Sequence, residues 1–360
     1  MRIFIFILII LVGGCQKETI LIEDPLLKPI GGNFDPSPVS IEVPFWMPPL
    51  PQFQGNPNTA EGIELGRMLF YDPIMSKDST ISCASCHQQQ FAFSDPKQFS
   101  LGVRGLQGKR NSMAIINLAY NTNGFFWDGR APSLQAQAIH PIEDPLEMNE
   151  TWDNVVKKLA NHPDYPKRFR AAFGIQTPSE ISREHVIKAI TQFERTLISA
   201  DSRFDKVVWK NQGWLTDEEL RGKQLFFFEE SQLLEHPGCS HCHFDPLFTD
   251  NTFRNNGLDK TFTDMGRGIF TQNISDNGKF RVPTLRNIAL TAPYMHDGRF
   301  QTLEEVLEHY SRGGHGVSNE DVNIRPFPLS DQDKKDLIAF LATLTDTSFI
   351  QNPAFSNPFK

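Results

Sequence analysis

The stretch CSHCHF, Cys239 to Phe244, sets two cysteines and two histidines within five positions. Such a run suits a zinc site, a redox dithiol or covalent haem attachment. The rest of the chain chooses among them. CASCH, Cys83 to His87, repeats the same order, CxxC followed at once by histidine. A closed zinc site needs four ligands around one ion. Here 152 residues separate Cys86 from Cys239, and a four-cysteine site would leave His87 and His243 without a role. Haem attachment uses every group. Two thiols add across the vinyl groups on one edge of the porphyrin, and the adjacent histidine gives a nitrogen to iron. Cys83 and Cys86 then carry one c-type haem with His87 on its iron, and Cys239 and Cys242 carry a second with His243. Of the spare histidines, His241 is expected to face solvent or bond locally, and His236 to be exposed.

The N-terminus agrees with that chemistry. Arg2 precedes ten apolar residues, 3 to 12, and Gly13, Gly14 and Cys15 follow. A bilayer-spanning helix needs roughly 20 apolar residues, so residues 1–14 read as a secretory signal. Small residues before a lone cysteine resemble a bacterial lipobox, which implies cleavage before Cys15 and lipid on it. The plainer alternative is an ordinary signal peptide with a chance cysteine. If Cys15 is lipidated, the other four of the five cysteines form CxxC pairs with none left over. Exported proteins seldom leave paired thiols free. The expectation is a periplasm-facing lipoprotein of the bacterial cell envelope, held to a membrane by its N-terminal lipid. A formal net charge of -8 argues against nucleic acid as a partner and permits steering of a basic one.

The 360 residues are enough for two ordinary domains, and 39% apolar with 22% charged residues describes a globular chain. Residues 15–57 are rich in proline and glycine and read as a linker, although PFWMPPLP within it can dock on the body. Beyond it the chain repeats itself. GRMLF (66–70) starts 17 residues before Cys83, and GKQLF (222–226) starts 17 before Cys239. Asn58 with Glu61, and Thr216 with Glu219, fit capping boxes for the two helices. DGRAPSL (128–134) answers DGRFQTL (297–303), and FERTL (193–197) answers FLATL (340–344). Ser330 caps a last helix with Leu337, Phe340, Leu341 and Leu344 on one face. Little strand alternation is visible. Each unit, with CxxCH after its first helix and an amphipathic last helix, resembles a class I cytochrome c domain. The expected fold is therefore mainly α, two tandem cytochrome c-like domains at 58–205 and 206–346, with a tail at 347–360.

The repeat also lets the far faces of the two irons be compared. Filling the second axial position favours electron transfer, and leaving it open allows small-molecule chemistry. QTLEEVLEHYSRGG (301–314) reads as a helix with Thr302 and Glu305 as its capping box. Leu303, Val306, Leu307 and Tyr310 share one face, so Tyr310 is expected to point inward and His309 away, near Glu305. An inward tyrosine is more often plain core, but an iron nearby needs a ligand. The matching position in the first half is Pro141, which cannot ligate iron and is expected to break its helix.

The chain resembles the bacterial diheme cytochrome c peroxidase family, which includes the MauG-type enzymes. The resemblance runs from about residue 58 to 346 and rests on ELGRMLFYDP, ISCASCH, GKRNS, FFWDGRAPSLQAQA, PIEDPLEM, CSHCH, RVPTLRNIALTAPYMHDG and LSDQDKKDLIAFLATLT. It implies that the haem on Cys83 and Cys86 is the peroxide site, with Glu147 of PLEM as its distal acid–base group. A carboxylate there can move a proton from one peroxide oxygen to the other. Composition alone would not separate Glu147 from its neighbours Glu143 and Asp144. The resemblance further implies Trp127 as an electron relay between haems, and a calcium ion held by the Asn111 side chain and the carbonyls of Thr291 and Pro293. Two positions depart from many family peroxidases. Val103 stands where a histidine often caps the resting iron, and Tyr310 stands where methionine is usual and MauG-type enzymes have tyrosine. A phenolate in that place lowers the second haem's potential relative to methionine.

Three activities follow as expectations. The first is reduction of hydrogen peroxide to water with electrons from an external donor such as a small cytochrome c. The second is a MauG-type oxidase of a protein or other large substrate. The third is a non-catalytic electron-transfer cytochrome, against which Pro141 and Val103 argue. A homodimer is compatible with the sequence.

Overall fold

Six helices, three from each half, frame the protein: α1 (Ala60–Tyr71), α2 (Leu134–Glu143), α3 (Arg183–Glu194), α4 (Asp217–Phe227), α5 (Leu303–Arg312) and α6 (Asp331–Ala342). The computed structural model describes residues 24–227 and 238–360; the signal segment, Cys15 and His236 lie outside them. Among the described residues the strands amount to one short antiparallel ladder, β1 (Phe253–Arg254) with β2 (Phe280–Arg281). No described helix is long and apolar enough to cross a membrane.

The helix starts follow side-chain chemistry. Thr216 with Glu219, Thr302 with Glu305 and Ser330 with Asp333 form reciprocal boxes at α4, α5 and α6. At α1 the cap is Thr59, not Asn58: Thr59 Oγ1 accepts from the Gly62 N–H at 3.1 Å. Glu61 is instead drawn to Ser37, whose N–H donates to it at 2.8 Å, and the Asn58 amide is buried without a partner.

α2 and α5 are the same length and begin at the same distance past an Asp-Gly-Arg. Pro141 does not break α2. The helix continues to Glu143 and closes with the Asp144 N–H on His140 O at 3.1 Å. In the last turn a proline forfeits one intrahelical bond, which the end of a short helix tolerates better than its middle.

The repeat is written into the packing. α1 crosses α3 where a Cβ on Gly66 would lie 1.9 Å from Ala189 O, and α4 crosses α6 where a Cβ on Gly222 would lie 1.9 Å from Asp336 O. Phe193 and Phe340 are the next neighbours at the two crossings. Only glycine allows so close an approach. Around the first crossing Leu65, Leu69, Val155, Phe169, Val186 and Ile190 form a core; around the second, Phe204, Phe226, Phe248, Leu337, Phe340 and Leu344 do. Arg286 and Asp205 form a fully buried bidentate pair, 2.8 and 2.9 Å, behind the second core.

Both ends of the chain close on this frame. The Ile30 N–H donates to Gln176 O at 2.8 Å, and Met47 of PFWMPPLP is buried with Tyr120 and Ala200. Residues 347–360, read from sequence as a tail, fold back on the first half. Phe349 packs edge-on to Phe93, Arg67 Nε donates to Ser356 O at 2.7 Å and Tyr71 Oη to Phe355 O at 2.6 Å. Aromatic residues in the last segment could have signalled this anchoring.

The halves meet through exchanged contacts. The Asn111 N–H donates to His296 O at 2.8 Å, and the Arg281 N–H donates to Trp127 O at 2.7 Å. These positions correspond in the repeat. Asn111 and Arg281 each stand six residues before an asparagine at positive φ, Asn117 (56°) and Asn287 (60°). Trp127 and His296 each follow a residue at positive φ, Phe126 (66°) and Met295 (73°), and precede Asp-Gly-Arg.

Candidate active site

A cavity of about 1000 Å³ opens between the halves, at the upper end of ligand-pocket sizes. Cys83, Cys86 and His87 line it from the first half, with Trp127 and Glu147; Arg281 lines it from the second. His87 Nδ1 lies 3.0 Å from Phe93 O, and His243 Nδ1 lies 3.1 Å from Phe248 O. A carbonyl can only accept, so each Nδ1 carries the proton and each Nε2 is bare, the form that ligates a metal. Burial holds both imidazoles below the usual histidine range, which keeps them neutral. All four motif cysteines are free of disulfides. Burial pushes Cys86 and Cys242 up to about 11 and Cys239 up to about 12. His241 is exposed and bonds locally, its Nδ1 2.9 Å from Gly238 O. Each CxxCH thus offers two free thiols and one oriented neutral imidazole, a set that fits a c-type haem.

Another part of the cavity wall is built from the end of α2. Met148 N–H donates to Pro141 O at 3.1 Å and Glu147 N–H to Asp144 O at 3.0 Å, folding PLEM back against the helix. Pro141 and Glu147 both line the cavity. Burial pushes the Glu147 carboxyl up to about 7; Asp144 adds to the rise and Arg130 opposes it. Glu143, by contrast, is exposed. The loop carrying Val103 is pinned here, its N–H on Glu147 O at 2.9 Å. A Cβ on Gly102 would sit 2.1 Å from Leu146 O, so glycine lets this loop close on PLEM.

In the second half the matching helix presents Tyr310. Asn256 Nδ2 donates to its hydroxyl at 3.3 Å and approaches Met295 Sδ at 3.5 Å. Burial pushes the phenol up to about 12, against the lowering by Asn256. His309 does not point away as expected. It is the more buried of the pair, because its Nε2 lies 3.0 Å from the Asn256 carbonyl and is satisfied there. Asn256 therefore ties both helix residues and Met295 into one cluster.

The family model for di-haem cytochrome c peroxidase matches residues 60–213. The methylamine utilization protein MauG of Methylorubrum extorquens is 38% identical over 82% of this chain and 81% of its own length. The cytochrome c551 peroxidase of Nitrosomonas europaea is 37% identical over 80% and 81%. The chain belongs to the di-haem cytochrome c peroxidase and MauG family. Among solved structures, a MauG-like protein associated with microbial copper homeostasis superposes with a TM-score of 0.83 at 35% identity, covering 89% of this chain and all of that one. Two tandem cytochrome c-like domains and two c-type haems go with membership of the di-haem family.

Within the family frame the remaining expected residues fall at the junction of the halves. Trp127 is buried and its Nε1 donates to Asn111 O at 2.8 Å. The Asn111 side chain donates through Nδ2 to Lys97 O (3.1 Å) and Gln98 O (3.3 Å), which leaves Oδ1 as its acceptor. Thr291 and Pro293 border the same cavity. No cluster of three His, Cys, Asp or Glu is placed to hold a metal among the described residues. The oxygens available for calcium are thus neutral amide and carbonyl groups, which suit a hard cation.

Two lining residues were not foreseen. Glu194, in FERTL, is 5% exposed, its Oε2 has no hydrogen-bond partner, and burial pushes it up to about 8 against the opposing charge of Arg195. Arg281 is 6% exposed with its Nη2 unpartnered. A charge buried without a partner is the signal, and no linear motif carries it.

Proposed function

We propose that the chain reduces hydrogen peroxide to water with electrons from an external donor, a small cytochrome c or similar periplasmic redox protein. The observation that carries this reading is Glu147, a carboxyl near neutrality in the same cavity as Cys83, Cys86 and His87. Cys83, Cys86 and His87 would hold the first haem, and Cys239, Cys242 and His243 the second, with Tyr310 as its candidate second ligand. The haem supplies an iron that binds peroxide and accepts and passes electrons. Glu147 takes the proton from the near oxygen and delivers it to the far oxygen, which leaves as water. Two electrons and two further protons complete the second water. Trp127, bonded to both halves, relays electrons between the sites. Asn111, Thr291 and Pro293 would hold one calcium ion at that junction. Residues 58–205 and 206–346 are read as the two haem domains, and residues 1–57 as leader and lipid-bearing tether facing the periplasm. The test is peroxide-dependent oxidation of a reduced small cytochrome c by the haem-loaded protein; no oxidation above background rejects the reading.

A second reading, a MauG-type oxidase of a protein or other large substrate, is favoured by one observation: the matching helix offers Tyr310, held by Asn256, where many peroxidases have methionine. Rapid reaction with peroxide without turnover of small cytochromes would select it.

A further inference from the structure

Arg281 stands apart from the other arginines around the cavity. Arg110 is taken up by Asp128 and Asp264, at 2.7 Å each, and Arg130 by Asp128 at 3.0 Å. Arg281 lines the same cavity with no carboxylate of its own among the described residues. Its Nη1 donates to the Asn251 side chain at 3.2 Å and its Nε to Phe126 O at 3.4 Å, the rings of Phe253 and Phe125 lie 5.4 and 5.9 Å from it, and its Nη2 has no hydrogen-bond partner among the described residues. Among the described residues Arg267 repels it and Asp128 attracts it more weakly. A buried guanidinium left in that condition is costly unless a counter-ion arrives. The missing charge is negative, planar and able to use two N–H donors, which describes a carboxylate.

A c-type haem brings such groups with it. Its thioether edge is fixed at Cys83 and Cys86, and its propionates hang from the opposite edge. Arg281 enters from the second half, on β2, and its own N–H holds the carbonyl of Trp127. We propose that Arg281 is the counter-ion for a propionate of the first haem, anchoring that haem's free edge beside Trp127. The same residue then fixes the carboxylate edge of the haem and the backbone of the relay residue. Electron exchange between the halves would leave the first haem by its propionate side. This inference rests on the first-haem reading of the CASCH motif.

The experiment uses the haem-loaded wild-type chain and the variants Arg281→Leu and Arg281→Lys. Haem content is measured first by pyridine haemochrome, which reports on the haem reading alone: fewer than two haems per wild-type chain would overturn that reading. Spectroelectrochemical titration of each haem across pH 5–9 then reports on Arg281. In Arg281→Leu the first haem's potential is expected to fall, and to fall further as pH rises. A propionate without its counter-ion binds a proton at low pH and bears a bare negative charge at high pH, which disfavours the reduced iron. Arg281→Lys should recover most of the wild-type potential, and the second haem should keep its value. An unchanged pH profile of the first haem, or a shift confined to the second, overturns the proposal. If Arg281→Leu fails to load haem, the crystal structure of the loaded wild type decides. A guanidinium nitrogen within 3.2 Å of a first-haem propionate oxygen is expected. Both of those propionates bonded elsewhere would overturn it.

Discussion

α2 and α5 are the same helix used twice, and they carry different residues at the matching position. In the second half Tyr310 projects from an ordinary turn and is held by Asn256. In the first half Pro141 occupies that place in a helix that remains intact, and its carbonyl receives the turn that carries Glu147. The two halves thus differ here by side chain, not by helix architecture. On the proposed reading, the proline near the helix end offers no ligand, while its carbonyl holds the folded-back turn that carries the acid.

The contrast is broken most severely at Glu147. Glu147→Gln keeps shape and removes the proton carrier, and should slow the reaction with peroxide by about 10²- to 10⁴-fold in stopped-flow while both haems load. In the wild type that rate should climb as pH rises through about 7, because the carboxylate is the form that accepts the proton. A rate independent of both changes would remove Glu147 from the chemistry.

Glu194 should give the next largest effect, on stability. Its ordinary pKa is 4.5 and burial raises it to about 8 in the fold. Below 4.5 the fold carries no penalty. Between 4.5 and 8 the unfolded chain ionises while the folded one stays protonated, so stability falls, and above 8 the loss is complete. Glu194→Gln should abolish that slope and gain roughly 3–5 kcal/mol over wild type at pH 8 in denaturant titrations. Parallel curves for the two proteins would show that Glu194 is not held neutral.

The helix crossings test whether the repeat is energetic as well as geometric. Gly66→Ala and Gly222→Ala each force a Cβ against backbone and should each cost about 1–3 kcal/mol, with the smaller helix-propensity gain of alanine already offset. A large cost at one crossing and none at the other would mean the halves have parted in packing too. The smallest change belongs to Tyr310→Phe, which should alter the absorption and EPR signals of the second haem and leave those of the first as they were. No change would turn attention to Met295, which shares Asn256 with Tyr310.

Much of this was legible in the chain because it depends on local order. CxxCH, the capping boxes of α4 and α5, the Ser330 cap of α6 and the GRMLF and GKQLF landmarks are short-range patterns, several of them repeated at fixed offsets. The misreadings came where a distant group competes. Asn58 yielded the cap to Thr59 because Ser37, far earlier in the chain, claims Glu61. His309 turned inward because Asn256 offers a carbonyl. Glu194 and Arg281 were invisible for a related reason. Their importance lies in having no partner, and a sequence does not display what a side chain fails to meet. How the tail at 347–360 is anchored could not be read from sequence, because its anchors, Arg67, Tyr71 and Phe93, sit most of the chain away.

The exchanged hydrogen bonds at the junction carry one more meaning. Asn111 binds His296, and its counterpart Arg281 binds the counterpart of His296, Trp127. Contact i-to-j with j-to-i is the signature of an isologous interface, the kind that pairs two identical subunits about a two-fold axis. The two halves of this one chain meet in the pattern that two identical subunits would use. Identical copies must carry every change on both faces at once. A single chain is free of that constraint, so tryptophan could settle on one side and histidine on the other, asparagine on one and arginine on the other, without disturbing the pair of bonds that holds the two together.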